Sequence, residues 1–509
     1  MPGTGGIVGI VGYGGYVPRL RLSRRAAAAA NAWYAPQFAK AKGSRAFANW
    51  DEDSITIAAA AARDCLGAAD DRSRIAGVLL ASGTLPFAER LNAGIVCEAL
   101  TLRDDVQASD VTGSQRAALS ALTQAIAQVR SGSTSGSGNG NGSGDVLVLA
   151  ADNRKTRAAS SQELDFGDGA AAIQIGSGSG QVLAEYLGAG TVTVDFVDHF
   201  RAAGEDIDYA WEERWVRDEG IGKLVPRAVK AALAEAKVDA SQIDHLIFPS
   251  TFQKIDQQLA KTCGVRADAV VDALSASVGD TGVPHALLLL TQVLERATPG
   301  QHILLAQFGS GAQALVFRVI EHIGSFRPVK GVSEWVRRGV EETAYTRFLS
   351  FKGQLELERG MRGEQDRKTA LSTAYRHRAA ILGLVAGRCE VTGSVHFPPS
   401  RISYDQCKPL QDTQLPYKLA ERRGTVLSWS AEYLSFHRSP PHRYGQVDFD
   451  GGGRILMEFT DTGEGDVDTG TAVEMSFRIK DVDDRRGYTR YFWKATPVRA
   501  SASNDKGTE

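Results

Sequence analysis

Cysteine is scarce in this chain of 509 residues. Five cysteines are too few and too scattered to form a disulfide framework in a chain of this length, so a reducing, cytoplasmic compartment is expected. They are Cys65, Cys97, Cys263, Cys389 and Cys407. The first stretch, MPGTGGIVGIVGYGGYVPRL, is apolar, but glycines interrupt it and it lacks a basic segment and a small-residue cleavage site. It predicts a buried strand and turn, with no signal or anchor.

A charge excess of one sign is also missing. Lys and Arg number 58 against 60 Asp and Glu, which gives a formal net charge of −2. The sequence contains no long basic run, so we expect neither nucleic acid nor a membrane as a partner. With 43% hydrophobic and 23% charged residues, the composition is typical of a globular protein with two to four domains.

An alternating pattern occupies residues 7 to about 320. Apolar, β-rich runs are separated by helical stretches rich in alanine and leucine, which predicts α/β layers around a mainly internal sheet. The runs are IVGIVGY, AGVLLAS, DVLVLAAD, DHLIFPS and HILLAQFGSG. We therefore assign residues 1–325 to one α/β domain.

The pattern changes twice after residue 325. Residues 326–385 are rich in Arg and Glu and are typical of a helical connector. Residues 386–500 contain short strands separated by Gly and Pro, the spacing of a small antiparallel barrel. Two segments of low complexity, SGSTSGSGNGNGSG at 131–144 and the tail 501–509, are expected to be a mobile loop and a disordered end.

The stretch ASDVTGSQRAALSAL, residues 108–122, predicts a strand, a tight turn and a helix. An elbow of this kind usually presents a reactive side chain, and here that side chain is Gln115. A glutamine amide cannot form a thioester, although its NH₂ group could donate a hydrogen bond to a thioester oxygen or an enolate. Alternatively, Gln115 only satisfies the end of the helix.

Several motifs resemble one family in order and spacing. IVGIVGYGGYVPRLRL, NWDEDSITIAAAAARDCL, DFGDGAAAIQIG and FGSGAQAL resemble the hydroxymethylglutaryl-CoA synthase-like branch of the thiolase superfamily over residues 7–320. GRCEVTGSVHFPP, GGGRILMEFTD and GYTRYFWKATP resemble the zinc-ribbon and OB-fold domains that accompany acyl-CoA thiolases and aldolases. The resemblance implies a five-layer thiolase-like fold of two pseudo-symmetric halves, a C-terminal OB-fold β-barrel, an acyl-CoA substrate, and a homodimer or higher oligomer.

The same resemblance implies that three catalytic side chains of the synthases are missing. The position of the cysteine nucleophile falls on Gln115, that of the acidic residue on Gly83, and that of the histidine on Pro249. Losses on three separate motifs argue against Claisen chemistry through an acyl-enzyme.

Polar residues remain in two segments. The turn SVGDTGVPH carries Asp280, Thr281 and His285, and the segment DHFRAAGEDIDYAWEERWVRDEG carries His199, Arg201 and Tyr209. The predicted base is His199, Tyr209, Asp280 or His285; backbone N–H groups near Gly309 and Gly311 complete an oxyanion site with Gln115, and Arg201 and Lys254 bind substrate. Alternatively, the charged segment is a solvated helix with aromatic anchors, and His285 is a buried structural histidine.

No zinc and no separate cofactor are expected, and coenzyme A enters only as part of the substrate. The ribbon keeps Cys389 and Cys407 but has Thr392 where a third thiolate would be, so closing a zinc site would need His396 or an outside ligand. The other cysteines are interpreted as packing residues. The barrel has an aromatic and basic face that could bind a nucleotide-like moiety or dock on the first domain, and docking is favoured; this face carries Arg454, Arg490, Tyr491, Trp493 and Lys494.

The function that this pattern predicts is carbon–carbon bond cleavage of retro-aldol type on a β-hydroxyacyl-CoA, or its reverse. Such an enzyme, an aldolase or lyase, needs a base and an oxyanion site but no covalent nucleophile. Two alternatives stay open: a synthase-like acyltransferase with a nucleophile elsewhere, and a non-catalytic subunit that binds acyl-CoA. A decarboxylase is a weaker fourth alternative, because the histidine that would polarise the thioester is absent.

Overall fold

The structure is a computed structural model, and it describes residues 6–69, 71–133, 144–178, 180–363, 370–404 and 408–499. Most of the predicted linker and the predicted C-terminal tail lie outside these residues. Within them, no helix combines the length and the apolar character needed to cross a membrane.

The first part of the chain contains thirteen strands among the described residues. The strands are β1 (Val8–Tyr16), β2 (Leu20–Ser23), β3 (Ser44–Phe47), β4 (Ile75–Ala81), β5 (Gln107–Val111), β6 (Asp145–Asp152), β7 (Gly169–Ser177), β8 (Ala184–Thr193), β9 (His199–Phe200), β10 (Tyr209–Ala210), β11 (Ile243–Ile247), β12 (His302–Phe308) and β13 (Gly311–Val319). The helices are α1 (Arg24–Ala30), α2 (Ser54–Leu66), α3 (Asn92–Ala99), α4 (Ala117–Ser131), α5 (Ser161–Asp165), α6 (Glu213–Trp215), α7 (Gly222–Ala236), α8 (Ile255–Cys263) and α9 (His285–Leu294). A π-helical segment, Val216–Ile221, joins α6 to α7.

The rest of the chain continues with short helices and then strands. The helices are α10 (Gly331–Arg337), α11 (Tyr345–Phe351), α12 (Leu371–Arg376) and α13 (Arg378–Ile381). The strands are β14 (Val340–Glu342), β15 (Val385–Cys389), β16 (Val395–His396), β17 (Ile402–Ser403), β18 (Leu410–Gln411), β19 (Gln414–Lys418), β20 (Gly424–Glu432), β21 (His442–Phe449), β22 (Arg454–Glu458), β23 (Ala472–Asp483) and β24 (Tyr488–Pro497).

One nine-stranded sheet runs through the first part in the order β11-β12-β13-β8-β1-β7-β6-β4-β5. Helices α4 and α9 form the central layer with both halves of the sheet, α2 and α3 cover one outer face, and α7 and α8 cover the other. This is the predicted five-layer, thiolase-like fold. Each of the five β-rich runs contains a strand: β1, β4, β6, β11 and β12.

The buried strands follow directly from their sequence. Every residue of β4 and of β6 is buried, because helices cover both faces of the sheet and a continuous apolar run satisfies both. Helix α2 begins at Asp53, whose carboxylate accepts hydrogen bonds from the N–H groups of Ile55 and Thr56 in a capping box. The sequence therefore fixes both the strand and the start of the helix that packs on it.

Close packing of α7 on β8 requires glycine at one position. A Cβ added to Gly190 would lie 2.1 Å from the carbonyl oxygen of Ala228 on α7. Any side chain there would push the helix away from the sheet. The alanine-rich sequence of α7 and this glycine together bring the outer layer into contact with the strand.

The connector contains one strand that its sequence did not predict. Strand β14 pairs in parallel with β2 of the first part, within the segment expected to be helical. Three residues are too short for a recognisable alternation, and this strand forms because β2 offers an edge beside β3. The connector therefore packs back onto the first part before the chain enters the ribbon.

The C-terminal barrel consists of β22-β21-β20-β23-β24, and it docks on the first part through its last strand. The hydroxyl of Tyr491 donates to Asp53 at 2.6 Å, and the ammonium of Lys494 lies 3.0 Å from Asp51. The indole N–H of Trp493 donates to the carbonyl of Leu382 in the connector. Three residues of the aromatic and basic face therefore dock, as predicted, whereas Arg454 and Arg490 pair with Asp448 and Asp481 of the barrel itself.

The predicted division into residues 1–325, 326–385, 386–500 and 501–509 stays a prediction. The last strand of the nine-stranded sheet ends at Val319, and the first strand of the ribbon begins at Val385.

Candidate active site

The elbow lies where β5 ends and α4 begins. Gly113, with φ of +95°, makes the turn, and Gln115 stands two residues before the first residue of α4. The turn between β12 and β13 packs against it: a Cβ on Gly309 would lie 2.9 Å from the Ser114 hydroxyl and 3.1 Å from the Gln115 nitrogen. The hydroxyl of Ser114 and the guanidinium of Arg116 both donate to the Gly309 carbonyl, at 2.8 and 3.0 Å. The elbow is therefore fixed between the two halves of the fold.

A short hairpin lies over this elbow. Strands β9 and β10 pair with each other, and the N–H of Trp211 donates to the carbonyl of Asp198. We call residues 198–211 the hairpin. It replaces the solvated helix that was one of the two interpretations of this segment, and the helical residues begin only at Glu213.

His199 of the hairpin meets Gln115. The Nε2 atom of His199 lies 3.4 Å from the side-chain nitrogen of Gln115. On the other side of the ring, Nδ1 lies 2.6 Å from the carboxylate of Asp198. When Nδ1 carries the proton and donates it to Asp198, Nε2 has a lone pair directed at the elbow, and its partner there is the NH₂ group of Gln115. An oriented imidazole of this kind has the geometry that general-base catalysis requires.

A second contact connects the hairpin to the position of the missing acidic residue. The guanidinium of Arg201 donates to the carbonyl of Gly83, and it lies 3.5 Å from Asp208. Asp208 in turn pairs with Arg154 at 3.1 Å. Arg201 is therefore held by the hairpin and the first half of the fold together, at the position predicted for a substrate-binding residue.

Asp280 belongs to the same group of charges. Its carboxylate accepts from the N–H of Gly282 at 2.7 Å and lies 3.8 Å from Arg154. The guanidinium of Arg154 also stacks on Phe166, with 3.3 Å from its carbon to the ring centroid. Since Asp280 already pairs with a cation, it is a weaker base candidate than His199.

Tyr209 lies on the other face of the hairpin. In the register of β9 and β10, Ala210 stands opposite His199 and Tyr209 opposite Phe200. Residues directly opposite each other in an antiparallel pair share a face, and consecutive residues alternate. Tyr209 is 57% exposed and packs on Phe200, so it points away from the elbow, and the structure does not bring it together with Gln115.

His285 has a structural environment. Its Nδ1 accepts from the N–H of Thr281 at 2.8 Å, and its Nε2 lies 2.9 Å from the carbonyl of Ala273. The side chain is buried, and burial lowers its pKa from the ordinary value. Both ring nitrogens have partners, so the geometry favours the alternative of a buried structural histidine.

The predicted oxyanion donors need a similar correction. The N–H of Gly309 donates to the carbonyl of Gly311 at 3.0 Å, and the N–H of Ser310 points to Asp198 at 3.4 Å. The Gly309 N–H is therefore already used within its own turn, and Gly311 is the first residue of β13. Lys254, predicted to bind substrate, is an exposed residue at the start of α8.

Asp152 and Arg154 were missed by the sequence reasoning. The carboxylate of Asp152 accepts from the Gly83 N–H at 2.7 Å and from the Val283 N–H at 2.9 Å. Burial raises the pKa of Asp152 above its ordinary value, and these hydrogen bonds oppose the shift. The sequence did contain a signal for these two residues. Residues 152–154, Asp-Asn-Arg, stand at the carboxyl end of the buried strand β6, and polar side chains at the carboxyl ends of neighbouring parallel strands lie close together.

The thiols of the first part are poor nucleophiles. Cys65 is buried on α2, Cys97 lies on α3 and Cys263 ends α8, so none of these three stands on the elbow or the hairpin. Burial raises the pKa of Cys65 well above its ordinary range, that of Cys97 to about 12 and that of Cys263 to about 11. They remain protonated near neutral pH, which suits packing residues.

The described part of the ribbon does not offer a zinc donor set. The Cys389 sulfur contacts the hydroxyl of Thr413 at 3.2 Å, and that hydroxyl contacts Ser403 at 3.3 Å. The imidazole of His396 contacts the Ser394 hydroxyl at 3.0 Å. Hydroxyls are not the thiolate or imidazole ligands that structural zinc prefers, and no group of three metal-ligating side chains occurs among the residues that the structure covers. Cys407, the other weak candidate, lies outside them.

Two family models match the chain. Residues 233–319 match the model described as "3-Oxoacyl-[acyl-carrier-protein (ACP)] synthase III C terminal", and residues 417–478 match "ChsH2, C-terminal OB-fold domain". These matches fall on the second half of the thiolase-like fold and on the barrel.

Known proteins are similar to about two thirds of the chain. A hydroxymethylglutaryl-CoA synthase of Pyrococcus furiosus is 28% identical over 315 residues, which cover 62% of this chain and 86% of that protein. A solved structure of MvaS in complex with 3-hydroxy-3-methylglutaryl coenzyme A has a TM-score of 0.57 at 19% identity, and covers 69% of this chain and 92% of that one. The 3-oxoacyl-(acyl carrier protein) synthase III of Pseudomonas aeruginosa has a TM-score of 0.53 at 21% identity, with 62% and 99% covered. The chain is therefore a fusion of a thiolase-like part, similar to the hydroxymethylglutaryl-CoA synthases, with a C-terminal OB-fold domain of the ChsH2 kind.

Proposed function

We propose that the protein is an acyl-CoA carbon–carbon bond enzyme that cleaves, or forms, a β-hydroxyacyl-CoA without a covalent intermediate. The observation that carries this proposal is the pair Asp198–His199, which directs Nε2 of an oriented imidazole at Gln115. The similarity to hydroxymethylglutaryl-CoA synthases supports the acyl-CoA class of substrate. Gln115, at the position of the family's nucleophile, cannot form a thioester, and this supports a reaction that needs none.

In the retro-aldol direction, Nε2 of His199 removes the proton of the β-hydroxyl group. The bond between the α- and β-carbons breaks, the β-carbon becomes the carbonyl of an aldehyde or ketone, and the electron pair moves into the thioester enolate. The NH₂ group of Gln115 donates a hydrogen bond to the enolate oxygen. The imidazolium then returns the proton to the α-carbon and a shorter acyl-CoA leaves. The same steps in reverse form the bond.

Asp198 and Arg201 have supporting roles in this reaction. Asp198 holds the imidazole in one tautomer and stabilises the imidazolium when it forms. Arg201 is a cation beside the Gly83 carbonyl, where it suits an anionic or carbonyl group of the acyl chain. Asp280 pairs with Arg154. Its role is therefore to orient Arg154 rather than to remove the proton from the substrate.

The test is an assay in which β-hydroxyacyl-CoA substrates are incubated with the protein and the released aldehyde or ketone is measured. His199→Ala should lower kcat by about 10² to 10⁴-fold with little change in substrate affinity, because a base acts in the transition state. Gln115→Ala should cost about 10²-fold if its amide is the oxyanion donor. Tyr209→Phe is the matched control: it lies on the same hairpin but on the opposite face, and it should leave kcat unchanged.

If His199→Ala has the same kcat as the wild type, His199 is not the base. A synthase-like acyltransferase is the second candidate, favoured by the relatives' reaction class. Incubation with an acyl-CoA followed by intact-mass measurement separates the two, since a covalent acyl-enzyme would support the acyltransferase. Acyl-CoA binding with no turnover in either assay would support a non-catalytic subunit.

Dimerisation stays a proposal. Strand β5 is one of the two edges of the nine-stranded sheet, the other being β11, and an unpaired strand edge is a surface that a second chain could cover. Light scattering of the purified protein would give the mass of the assembly, and a monomer would exclude the proposal.

A further inference from the structure

Lys352 of the connector is a buried charge that the proposed reaction does not use. It directly follows α11, and its N–H donates to the carbonyl of Phe348, one turn earlier, at 3.0 Å. Phe348 is buried in a cluster with Leu22 and Phe47 of the first part. Residues four apart lie on the same side of a helix, so the packing of Phe348 turns Lys352 inwards as well. The side chain of Lys352 is 3% exposed.

The ammonium of Lys352 contacts the end of β6 and the residues after it; we call residues 152–156 the linking segment. It pairs with the carboxylate of Asp168 and donates to the side-chain oxygen of Asn153, the latter at 2.6 Å. The other carboxylate oxygen of Asp168 accepts from the N–H of Arg154 at 3.0 Å. Asp168 is fully buried, and a buried carboxylate depends on its paired cation. Lys352 therefore holds the linking segment directly and through Asp168.

A second connector residue contacts the far end of the linking segment. The side-chain amide of Gln354 donates to the carbonyl of Thr156. Gln354 stands two residues after Lys352 and is half-buried. The connector therefore holds the linking segment near its start, at Asn153, and again at its last residue.

Two residues of the linking segment in turn hold the hairpin. Arg154 pairs with Asp208 at 3.1 Å, and the ammonium of Lys155 lies 2.7 Å from Asp206. Between these two acidic residues, Ile207 forms an isolated parallel β-bridge with Lys155. Three consecutive residues of the hairpin therefore rest on the linking segment.

The first strand of the hairpin depends on the same segment. Arg201 donates to the carbonyl of Gly83, and the N–H of Gly83 donates to Asp152, the first residue of the linking segment, at 2.7 Å. His199, two residues before Arg201, carries the imidazole that is directed at Gln115. A displacement of the linking segment would therefore move this imidazole relative to the elbow.

We propose that Lys352 is a positioning residue of the candidate active site: it holds the linking segment, which holds the hairpin with His199 over Gln115. The inference rests on the proposed function in so far as His199 is the base, but the contacts that hold the hairpin do not depend on the reaction. Its consequence is that the connector, which leads to the ribbon and the barrel, completes the site of the thiolase-like part.

The test is hydrogen exchange of the full chain, measured on peptides that cover the hairpin, residues 198–211. Lys352→Met keeps an unbranched side chain but removes the ammonium. We expect the hairpin amides to exchange about tenfold faster, the change in an opening equilibrium that corresponds to the loss of one charge-assisted hydrogen bond. Exchange of α7, on an outer face of the fold, should remain as in the wild type.

The matched control is Lys494→Met. Lys494 pairs with Asp51 at the barrel interface, and the two side chains are 2% and 0% exposed, against 3% and 0% for Lys352 and Asp168. Both variants take a buried ammonium from a buried carboxylate, so a general loss of stability should be similar in the two. Only Lys352→Met should speed exchange in the hairpin.

Activity provides the second measurement. In the cleavage of β-hydroxyacyl-CoA, Lys352→Met should lower kcat about ten- to a hundredfold with little change in KM, because a misplaced base slows the chemical step. Lys494→Met should leave both constants unchanged.

A milder variant covers the case in which Lys352→Met does not fold. Gln354→Ala removes an uncharged contact of the linking segment and leaves the buried ion pair in place. It should speed exchange in the hairpin about threefold, the effect of losing one neutral hydrogen bond.

Equal hairpin exchange in Lys352→Met and Lys494→Met would overturn the proposal, and so would unchanged exchange in Gln354→Ala if Lys352→Met does not fold. Faster hairpin exchange with an unchanged kcat would overturn the positioning role as well. If the wild type cleaves no β-hydroxyacyl-CoA, the proposed function fails, whereas faster exchange confined to the hairpin would still support the hold of Lys352 on it.

Discussion

The thiolase-like part contacts the rest of the chain in two very different ways. Over the elbow, the hairpin is held by polar contacts of its partly exposed side chains, and its aromatic face is exposed. At the barrel, three acidic residues of one loop meet three residues of the barrel, and all of them are buried except the half-buried Asp53; they are Asp51, Glu52, Asp53, Arg478, Tyr491 and Lys494. Buried ion pairs hold a fixed geometry at the cost of desolvation. The difference indicates that the barrel interface is a buried anchor, whereas the hairpin forms a partly exposed cover over the elbow.

The largest effect is expected from breaking the anchor at Arg478. Its guanidinium pairs with Glu52 and with Asp461, the latter at 2.6 Å, and it contacts the hydroxyl of Tyr16. Arg478→Met should lower the free energy of unfolding by about 3–5 kcal/mol, because two buried carboxylates lose the cation that neutralises them. Denaturant unfolding followed by circular dichroism measures it.

The control for this experiment is Arg454→Met. Arg454 pairs with Asp448 on the barrel surface, where both side chains are 40% exposed or more, and such pairs contribute about 0–1 kcal/mol. A loss below about 1 kcal/mol in Arg478→Met would show that the interface is not an anchor.

The second prediction concerns the hairpin and should change activity without changing stability. Asp198→Asn replaces the carboxylate beside His199 Nδ1 with a neutral amide that can also donate, so the imidazole loses its fixed tautomer and the imidazolium loses its counter-charge. We expect kcat to fall about 10²-fold or more, within the range of base catalysis, and the pH profile of kcat to shift. The unfolding free energy should change by no more than about 1 kcal/mol, because Asn keeps the size of Asp198 and one hydrogen-bond acceptor. An unchanged pH profile would mean that Asp198 has only a structural role.

The part of this site that the sequence could predict depends on how far apart along the chain the contacting residues are. The elbow and Gln115 follow from a local pattern, and β1, β4 and β6 follow from their apolar runs. Which face of the hairpin carries His199 depends on the register of two-residue strands, and no periodicity reveals that. The burial of His285 depends on packing against a distant segment that contains Ala273. The sequence could therefore suggest base candidates but could not choose among them.

Distance along the chain also limited the prediction of the interface. The aromatic and basic face of β24 was recognised, but its partners lie more than 400 residues away in the loop before α2. The NWDED run that precedes α2 contributed only to the family resemblance. Its three acidic residues are, in the structure, the surface on which the barrel docks.

The third prediction tests the pH dependence of the interface near His437. This imidazole stacks on His442 and contacts Trp50 edge-on, and burial lowers its pKa from 6.5 to about 4, with His442 and Lys494 acting in the same direction. Between these two values the folded state binds fewer protons than the unfolded state. Stability should therefore be complete above pH 6.5 and fall as the pH drops towards 4, by up to about 3 kcal/mol from this residue.

The measurement compares the wild type with His437→Gln at pH 7 and at pH 4.5. In the variant, this part of the pH dependence should disappear, while the contributions of the other groups remain. Equal losses in the two proteins would show that His437 is as easily protonated in the folded state as in the unfolded state.

The smallest effect is expected in the ribbon, and it contrasts with the anchor. Structural zinc supplies about 10–16 kcal/mol to a small metal-dependent fold, whereas Cys389 has a hydroxyl partner, Thr413. We expect purified protein to contain well under one zinc per chain by elemental analysis, and a chelator to leave the unfolding midpoint unchanged. Cys389→Ser keeps a hydrogen-bonding group of similar size and should cost no more than about 1 kcal/mol. Cys263→Ser, outside the ribbon, controls for the loss of a thiol.

The opposite result would be one zinc per chain in the wild type and none in Cys389→Ser. It would mean that Cys389 is a ligand and that Cys407 or His396 helps to complete the site. In that case a metal ion would stabilise the ribbon, whereas buried ion pairs stabilise the interface of the barrel.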